Sequence, residues 1–404
     1  TFDEWKYSDD YEAIMKEFTN YQYEVRFLRA YFYFELIKRY RNIPFVLDVL
    51  AQNEANGVNP ESYEKIAKFI VDECSDLAQI LPVNYDNFST KEKGRVTRAA
   101  AMALKSRVTL YMASPLFSED SEDKWKQAAE AAYDIIKQKT DLGLDLVPYP
   151  QIFNDVNNQK AEVILYRPTG ESGDFEKANF PIGVEGGKTS TCPTQNLMEA
   201  YDMKDGTPFV WNNQSNPYDN RDPRMKYTIV CNEMKWPVDP VEIWEGGTNG
   251  LPLQNATTTG YYLKKYVNNT ISFEAGSTVT KKQHNWVLFR YGEILLNYAE
   301  AMINAFHDPN YKDAVYNMSA REAVNQIRGR TNISLPGFPS DITEKDFVKR
   351  LKNERRVELA FEGHRFWDVR RWKELGQTAN IYGVKITKNN EVISYEKFLL
   401  ETRA

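Results

Sequence analysis

The chain has 404 residues, 51 Lys plus Arg against 57 Asp plus Glu, and a formal charge of −6. That length accommodates one large core or two to three domains. The acidic balance leaves no basic stripe for a phosphate backbone, which excludes nucleic acid as the expected partner.

Other bounds are as direct. Apolar runs such as Ile43 to Ala51 are interrupted by Asp48 and fall short of the roughly 20 residues a membrane helix needs. Cys74, Cys192 and Cys231 stand far apart in sequence, and an odd number cannot all pair within one chain, so no disulfide framework is expected. His284, His307 and His364 offer no i,i+4 pair, which disfavours a histidine-based zinc site, and no cofactor is expected.

In chain order, EVRFLRAYFYFELIKRY from Glu24 to Tyr40 spaces Val25, Leu28, Phe32 and Leu36 as a helical stripe, with Phe27, Tyr31 and Phe34 widening it to nearly all sides. Such a helix is expected to be buried between neighbours, and Pro44 ends it. A second helix is predicted over Glu61 to Leu81, with Asn59 or Ser62 as cap and Pro82 as stop. The next pair opens after Gly94. VTRAAAMALKSRVTLYMAS provides small alanine surfaces at Ala99, Ala100, Ala101, Ala103 and Ala113, and DKWKQAAEAAYDIIKQK alternates large and small groups in helical register. This is the packing pattern of tetratricopeptide-like hairpins.

Roughly from Asp141 to Asn285 the pattern changes to Gly-, Pro-, Asn- and Trp-rich sequence with short β-branched or aromatic runs such as GYYLKKYV, read as loops with a few short strands. Helical pairing resumes with WVLFRYGEILLNYAEAMINAF and SAREAVNQIRGR, then with EKDFVKRLKNERRVELAFEG leading into HRFWDVRRWKEL. The expected architecture is mainly α: four helical hairpins holding a large loop-rich insert. The expected division is 1–140 for hairpins one and two, 141–288 for the insert, and 289–404 for hairpins three and four with the tail.

Six segments in this order resemble the SusD/RagB family of outer-membrane lipoproteins of the Bacteroidetes: EVRFLRAYFYFELIKRYRNIPFV, GRVTRAAAMALKSRVTLYMASP, CPTQNLMEAYDMKDGTPF with NRDPRM, RYGEILLNYAEA, NQIRGRTN and ERRVELAFEGHRFWDVRRW. The resemblance implies a SusD-like fold and a non-catalytic protein exposed at the cell surface. Such a protein captures an oligosaccharide or polysaccharide and passes it to a SusC-like TonB-dependent outer-membrane transporter. A RagB-like role with peptides is the alternative. It also implies membrane attachment through an N-terminal lipid anchor that this chain does not carry. Family members have a longer stretch before the first repeat helix and a proline-containing tail, so the chain reads as trimmed.

The charged ERRVELAFEGHRFWDVRRW segment admits an acid/base reading. Glu354, Glu358 and Glu362 at helical spacing are instead expected to pair with arginines of adjacent elements, and Glu35 with Arg26, Arg29 or another buried cation. A glycan hydrolase needs two carboxylates about 5 to 10 Å apart, yet no hydrolase motif, nucleotide loop or HExxH pattern is present. A free tetratricopeptide adaptor is disfavoured by the length of the insert.

Sugar recognition requires an aromatic face for the C–H patch of a pyranose and planar polar groups for its hydroxyls. The insert supplies both, so the candidate ligand-binding residues are Trp211, Asn213, Tyr218, Trp236, Trp244 and Tyr261. The competing reading is that about half of these aromatics form small cores under the loops. Trp5 and Tyr7 are further candidates by family position. The Asp219 to Asp222 cluster lacks EF-hand spacing and reads as a turn.

Overall fold

A computed structural model describes residues 11–51, 53–88, 94–119, 121–157, 160–212, 216–236, 239–273 and 280–403. Trp5, Tyr7 and Asn213 lie outside these residues. The helices are α1 Tyr11–Tyr40, α2 Tyr63–Ile80, α3 Arg98–Ala113, α4 Glu122–Lys137, α5 Asp174–Asn179, α6 Gln195–Ala200, α7 Met225–Thr228, α8 Tyr291–Phe306, α9 Ala320–Arg328, α10 Glu344–Glu358 and α11 Arg365–Arg371. Strands β1 Ile43–Pro44, β2 Pro60–Glu61, β3 Val163–Ser172, β4 Ile229–Val230, β5 Tyr262–Leu263, β6 Lys282–Arg290, β7 Asn380–Asn389 and β8 Val392–Thr402 pair as β1 with β2, β3 with β6, β4 with β5 and β7 with β8. Among the described residues, no helix is long and apolar enough to cross a membrane.

Contacts group the chain into two units, the first being Thr1–Asp145, Ala161–Tyr166 and Leu288–Ala323. Within it α1 packs on α2, α2 on α3, α3 on α4 and α4 on α8. Side-chain caps start the helices: Ser62, one of the two caps expected, accepts from the Lys65 N–H, and Thr97 accepts from Ala100 and Ser121 from Lys124, each satisfying a backbone donor that the first turn leaves unpaired. Gly94, just before α3, has φ +87°, and a side chain there would meet the Tyr166 ring at 3.3 Å. Both constraints select glycine.

The core of this unit is alanine-lined. Ala100, Ala101 and Ala103 are fully buried, as are Phe34, Ile70 and Leu77, each large side chain contributing about 1.5–3 kcal/mol by burial. Tyr63 stacks on Phe117 at 4.3 Å, and Phe34 meets Tyr111 edge to face at 5.2 Å. Arg107 grips Glu293 with Nε at 2.7 Å and Nη2 at 2.6 Å, and lies 3.8 Å over the Phe289 ring.

Two expectations need correction here. In α1 the buried face is Phe27, Ala30, Phe34 and Ile37, whereas the stripe expected inside is open: Val25 is 63% exposed and Phe32 58%. A helix apolar on nearly all sides contains two stripes at the same spacing, and periodicity alone cannot choose between them. The run WVLFR, expected to open a helix, is the end of β6, so α8 starts only at Tyr291.

The second unit comprises Leu146–Lys160, Arg167–Val287 and Val324–Ala404. The 289–404 segment is thus shared between the two units, with α10 tied by charge to the insert and α11 to α10. Arg224 bonds Asp222 at 2.7 Å, Glu354 at 2.5 Å and Glu358 at 2.8 Å; Arg328 meets Glu354 at 2.7 Å and Arg330 meets Glu358 at 2.8 Å. Three arginines thus face three carboxylates at nearly complete burial, the arrangement in which such charges are tolerated. Arg355 and Arg371 share Asp368 at 2.9 Å each. These are the structural roles expected for Glu354 and Glu358. Glu35 also pairs locally, with Arg39 at 2.6 Å and with Lys38.

The chain closes with the antiparallel β7–β8 hairpin. Ile381, Val384, Ile386 and Tyr395 face inward, and Val384, Ile386 and Tyr395 join a core with Met198, Tyr201, Ile229, Val230, Tyr261 and Tyr262.

Candidate ligand-binding site

The aromatics singled out in the insert divide by burial. Tyr261 is wholly buried and its hydroxyl donates to Gln195 Oε1 at 2.6 Å. Tyr218 packs against the same core, edge to face with Tyr261 at 6.1 Å and Tyr395 at 5.3 Å, and burial pushes the hydroxyl pKa of both Tyr218 and Tyr261 well above the ordinary tyrosine value. Trp236 is 3% exposed and meets Phe180 edge to face at 5.9 Å; its indole N–H has no acceptor among the described residues. Trp211 and Trp244 are half-buried at the margin of that core. Trp211 lies edge to face with Phe209 at 6.4 Å, and the Lys388 ammonium covers Trp244 at 4.3 Å. In this conformation Tyr261 has no ring face to offer a ligand, and Tyr218, Tyr261 and Trp236 work together as a core under the loops. Asp222 of the acidic cluster is committed to Arg224.

An accessible aromatic surface lies elsewhere in the same unit. Along β6, Asn285, Val287 and Phe289 point inward, so Trp286 between them points out and is 38% exposed. Its ring stacks on Tyr266 at 4.6 Å with 19° between planes, and Phe153 closes on Tyr266 edge to face at 5.0 Å. Tyr266 holds φ +66°, a left-handed backbone that a bulky aromatic rarely adopts. Such strain persists only where surrounding contacts over-determine it. Here the Trp286 and Phe153 rings do so, together with buried Lys265 next door, whose ammonium lies 4.0 Å over the Phe153 ring and bonds Glu362 at 2.8 Å and the Tyr149 hydroxyl at 2.9 Å.

Beside this stack opens a cleft of 420 Å³ lined by Phe153, Tyr266, Asn268, Asn269, Asp155 and His284, among others. Its polar groups are held in place. His284 Nε2 lies 3.0 Å from Glu176, whose buried carboxylate also accepts from the Asn268 N–H at 2.9 Å. Asp155 lies 3.5 Å from Lys282. The Asn268 side chain accepts from the Thr270 N–H at 3.0 Å and hydroxyl at 2.7 Å, fixing the turn that presents Asn269. A flat apolar surface with convergent amide, imidazole and ion-pair groups suits a ligand having both C–H faces and hydroxyls. The sequence signal for Trp286 was its position out of phase with Val287 and Phe289; nothing in the sequence marks the Tyr266 backbone.

The family model described as the SusD family matches residues 152–398. Among solved structures, the chain is similar to a SusD-like protein from Bacteroides fragilis, with 26% identity and TM-score 0.75 over 95% of this chain and 74% of that one. A SusD-like carbohydrate-binding protein from the same organism gives 28% identity and TM-score 0.74 over 89% and 69%. Surface glycan-binding protein A from Bacteroides uniformis shares the fold, with 18% identity and TM-score 0.62 over 92% and 70%. No curated protein matches the chain.

Proposed function

The chain belongs to the SusD family, and on that premise we propose that it is a non-catalytic cell-surface protein that captures an oligosaccharide on the Tyr266–Trp286 stack and passes it to a SusC-like TonB-dependent outer-membrane transporter. The observation that carries this reading is the Trp286 ring, 38% exposed and backed by the buried Tyr266, beside a cleft of amide and imidazole groups. One of the similar structures is a carbohydrate-binding protein, which supports the choice of a glycan over a peptide.

The absence of chemistry in this reading is supported by how the nearby carboxylates are engaged. Glu176 is fully buried beneath His284, and Asp155 is turned to Lys282, whereas a glycosidase leaves one carboxyl free to give a proton and another to act on the opposite side of the sugar. Transfer to a transporter is supported by the open stripe of α1: Phe18, Tyr21, Val25, Leu28, Phe32 and Leu36 are 42–63% exposed on one helix face. A contiguous apolar stripe of this kind marks an interaction surface. Outer-membrane attachment through an N-terminal lipid belongs to the same reading.

Electrophoresis through gels containing soluble polysaccharides, with peptides tested by calorimetry, examines the capture. Retardation by a polysaccharide with no release of reducing ends is the expected result. Turnover abolished by substituting one carboxylate contradicts it.

A further inference from the structure

A second cleft in the same unit, of 840 Å³, shares no lining residue with the one beside Trp286. One wall is the outer face of α10. That helix turns Phe347, Leu351, Glu354 and Glu358 inward and so presents Lys345, Lys349, Asn353 and Arg356, three or four apart, to the cleft. Phe209 and Arg365 complete the part of the lining that matters here.

Several lining charges are already satisfied: Lys352 by Glu374 at 2.6 Å, Glu199 by Lys397 at 2.8 Å, and Asp202 by Arg328 at 3.3 Å. Arg356 is different. Among the described residues no hydrogen bond or ion pair holds it, and only the more distant Glu199 and Tyr201 act on it favourably through charge, although its neighbour Arg355 is held by Asp368. Arg365 has only a 3.4 Å contact to the Gln377 amide oxygen. Burial, then the charge of Arg365, push the Arg356 pKa down to about 10. Two guanidiniums therefore face one concavity with no carboxylate in ion-pair contact, although Glu199 acts on Arg356 and Asp368 and Glu374 act on Arg365 through longer-range charge, in a protein whose net charge is −6. The exposed Asp341 and Asp346 stand on the same lining, and Asp346 accepts from Thr343 at 2.9 Å.

A partly buried arginine left without a counter-ion is costly, and its planar fork matches carboxylate and sulfate geometry. We propose that this cleft binds the acidic group of an anionic saccharide, with Arg356 and Arg365 holding its carboxylate or sulfate and Phe209 offering apolar contact. The inference rests on the reading of the protein as a glycan-capture protein and specifies the class of glycan.

Affinity electrophoresis at about 0.15 M salt, where long-range attraction is screened, tests it with polygalacturonate as the carboxylate probe, dextran sulfate as the sulfate probe and dextran as the neutral control, alongside the wider neutral panel. The parent is expected to be retarded by one acidic polymer. Arg356→Gln and Arg365→Gln should each weaken that retardation about ten-fold or more, as expected for losing charge-assisted hydrogen bonds, and Lys345→Gln less than two-fold. Matched circular dichroism and melting identify any variant that fails to fold, and the less enclosed Arg365→Gln then decides alone. Equal retardation of parent and double variant overturns the inference. So does capture of a neutral polysaccharide with no response to either acidic one, which leaves the capture reading standing. No retardation by any glycan, acidic or neutral, contradicts both.

Discussion

Arg224 Nη1 lies 2.8 Å from a carboxylate oxygen of Glu358, 134 residues further along the chain, and both side chains are buried. The pair joins the loop-rich segment to α10. Removing one partner of a buried pair leaves an uncompensated charge at a cost of about 3–5 kcal/mol. Glu358→Gln is therefore expected to lower the thermal midpoint by several degrees, read by calorimetry or circular dichroism. An unchanged midpoint would show that the pair is not holding the insert.

Glu354 gives this cluster a pH dependence. Burial favours its protonated form, but the charges of Arg224 and Arg328 outweigh burial and hold its pKa below the usual glutamate value. A carboxyl with a depressed folded pKa contributes stability that is present above its unfolded value of about 4.3 and is lost as pH falls through the folded value. The thermal midpoint should therefore decline as pH is lowered below about 4.3. Glu354→Gln, which cannot titrate, should melt lower at neutral pH yet show a shallower decline in acid. Parallel curves for parent and variant would remove Glu354 from the account.

Gly94 is a test of local backbone rather than of charge. Gly94→Ala forces a side chain onto a left-handed backbone against the Tyr166 ring, and a loss of about 1–2 kcal/mol is expected in denaturant unfolding. A neutral result would mean that the lead-in to α3 shifts freely.

The open stripe of α1 separates folding from assembly. Phe32→Glu, at a side chain 58% exposed, should change the stability by less than about 0.5 kcal/mol while abolishing co-purification with the proposed SusC-like transporter. Phe34→Ala, at a buried ring, should cost about 3–5 kcal/mol. Retained co-purification of Phe32→Glu would place the docking face elsewhere.

The same helix shows what could be read in advance. Element order, the alanine surfaces of α3 and the capping residue Ser62 followed from spacing and side-chain chemistry. Which stripe of α1 faces inward did not, because Val25, Leu28, Phe32 and Leu36 repeat at the same interval as Phe27, Ala30, Phe34 and Ile37. The closing hairpin was legible but unread: NIYGVKITKNNEVISYEKF alternates on either side of a two-residue Asn390-Glu391 turn, and Asn390 takes a positive φ of 54°. In the insert, Trp and Tyr between turn residues serve a core or a ligand equally well. Trp236 and Tyr261 went to the core, through long-range contacts with Phe180 and Gln195. Trp286 was hidden in a strand that runs directly into a helix, and its partner Tyr266 is positioned by a backbone strain that no residue pattern records.

The central claim is that sugar stacks on Trp286 rather than on the aromatics of the loops. Isothermal titration calorimetry with the saccharide that retards the parent protein, comparing Trp286→Ala with Trp236→Phe, tests it most directly. The account predicts a Kd raised about ten-fold or more in Trp286→Ala, about 1.4 kcal/mol, and a Kd within about two-fold of the parent in Trp236→Phe. Full affinity in Trp286→Ala with binding lost in Trp236→Phe would contradict it and return the site to the loops.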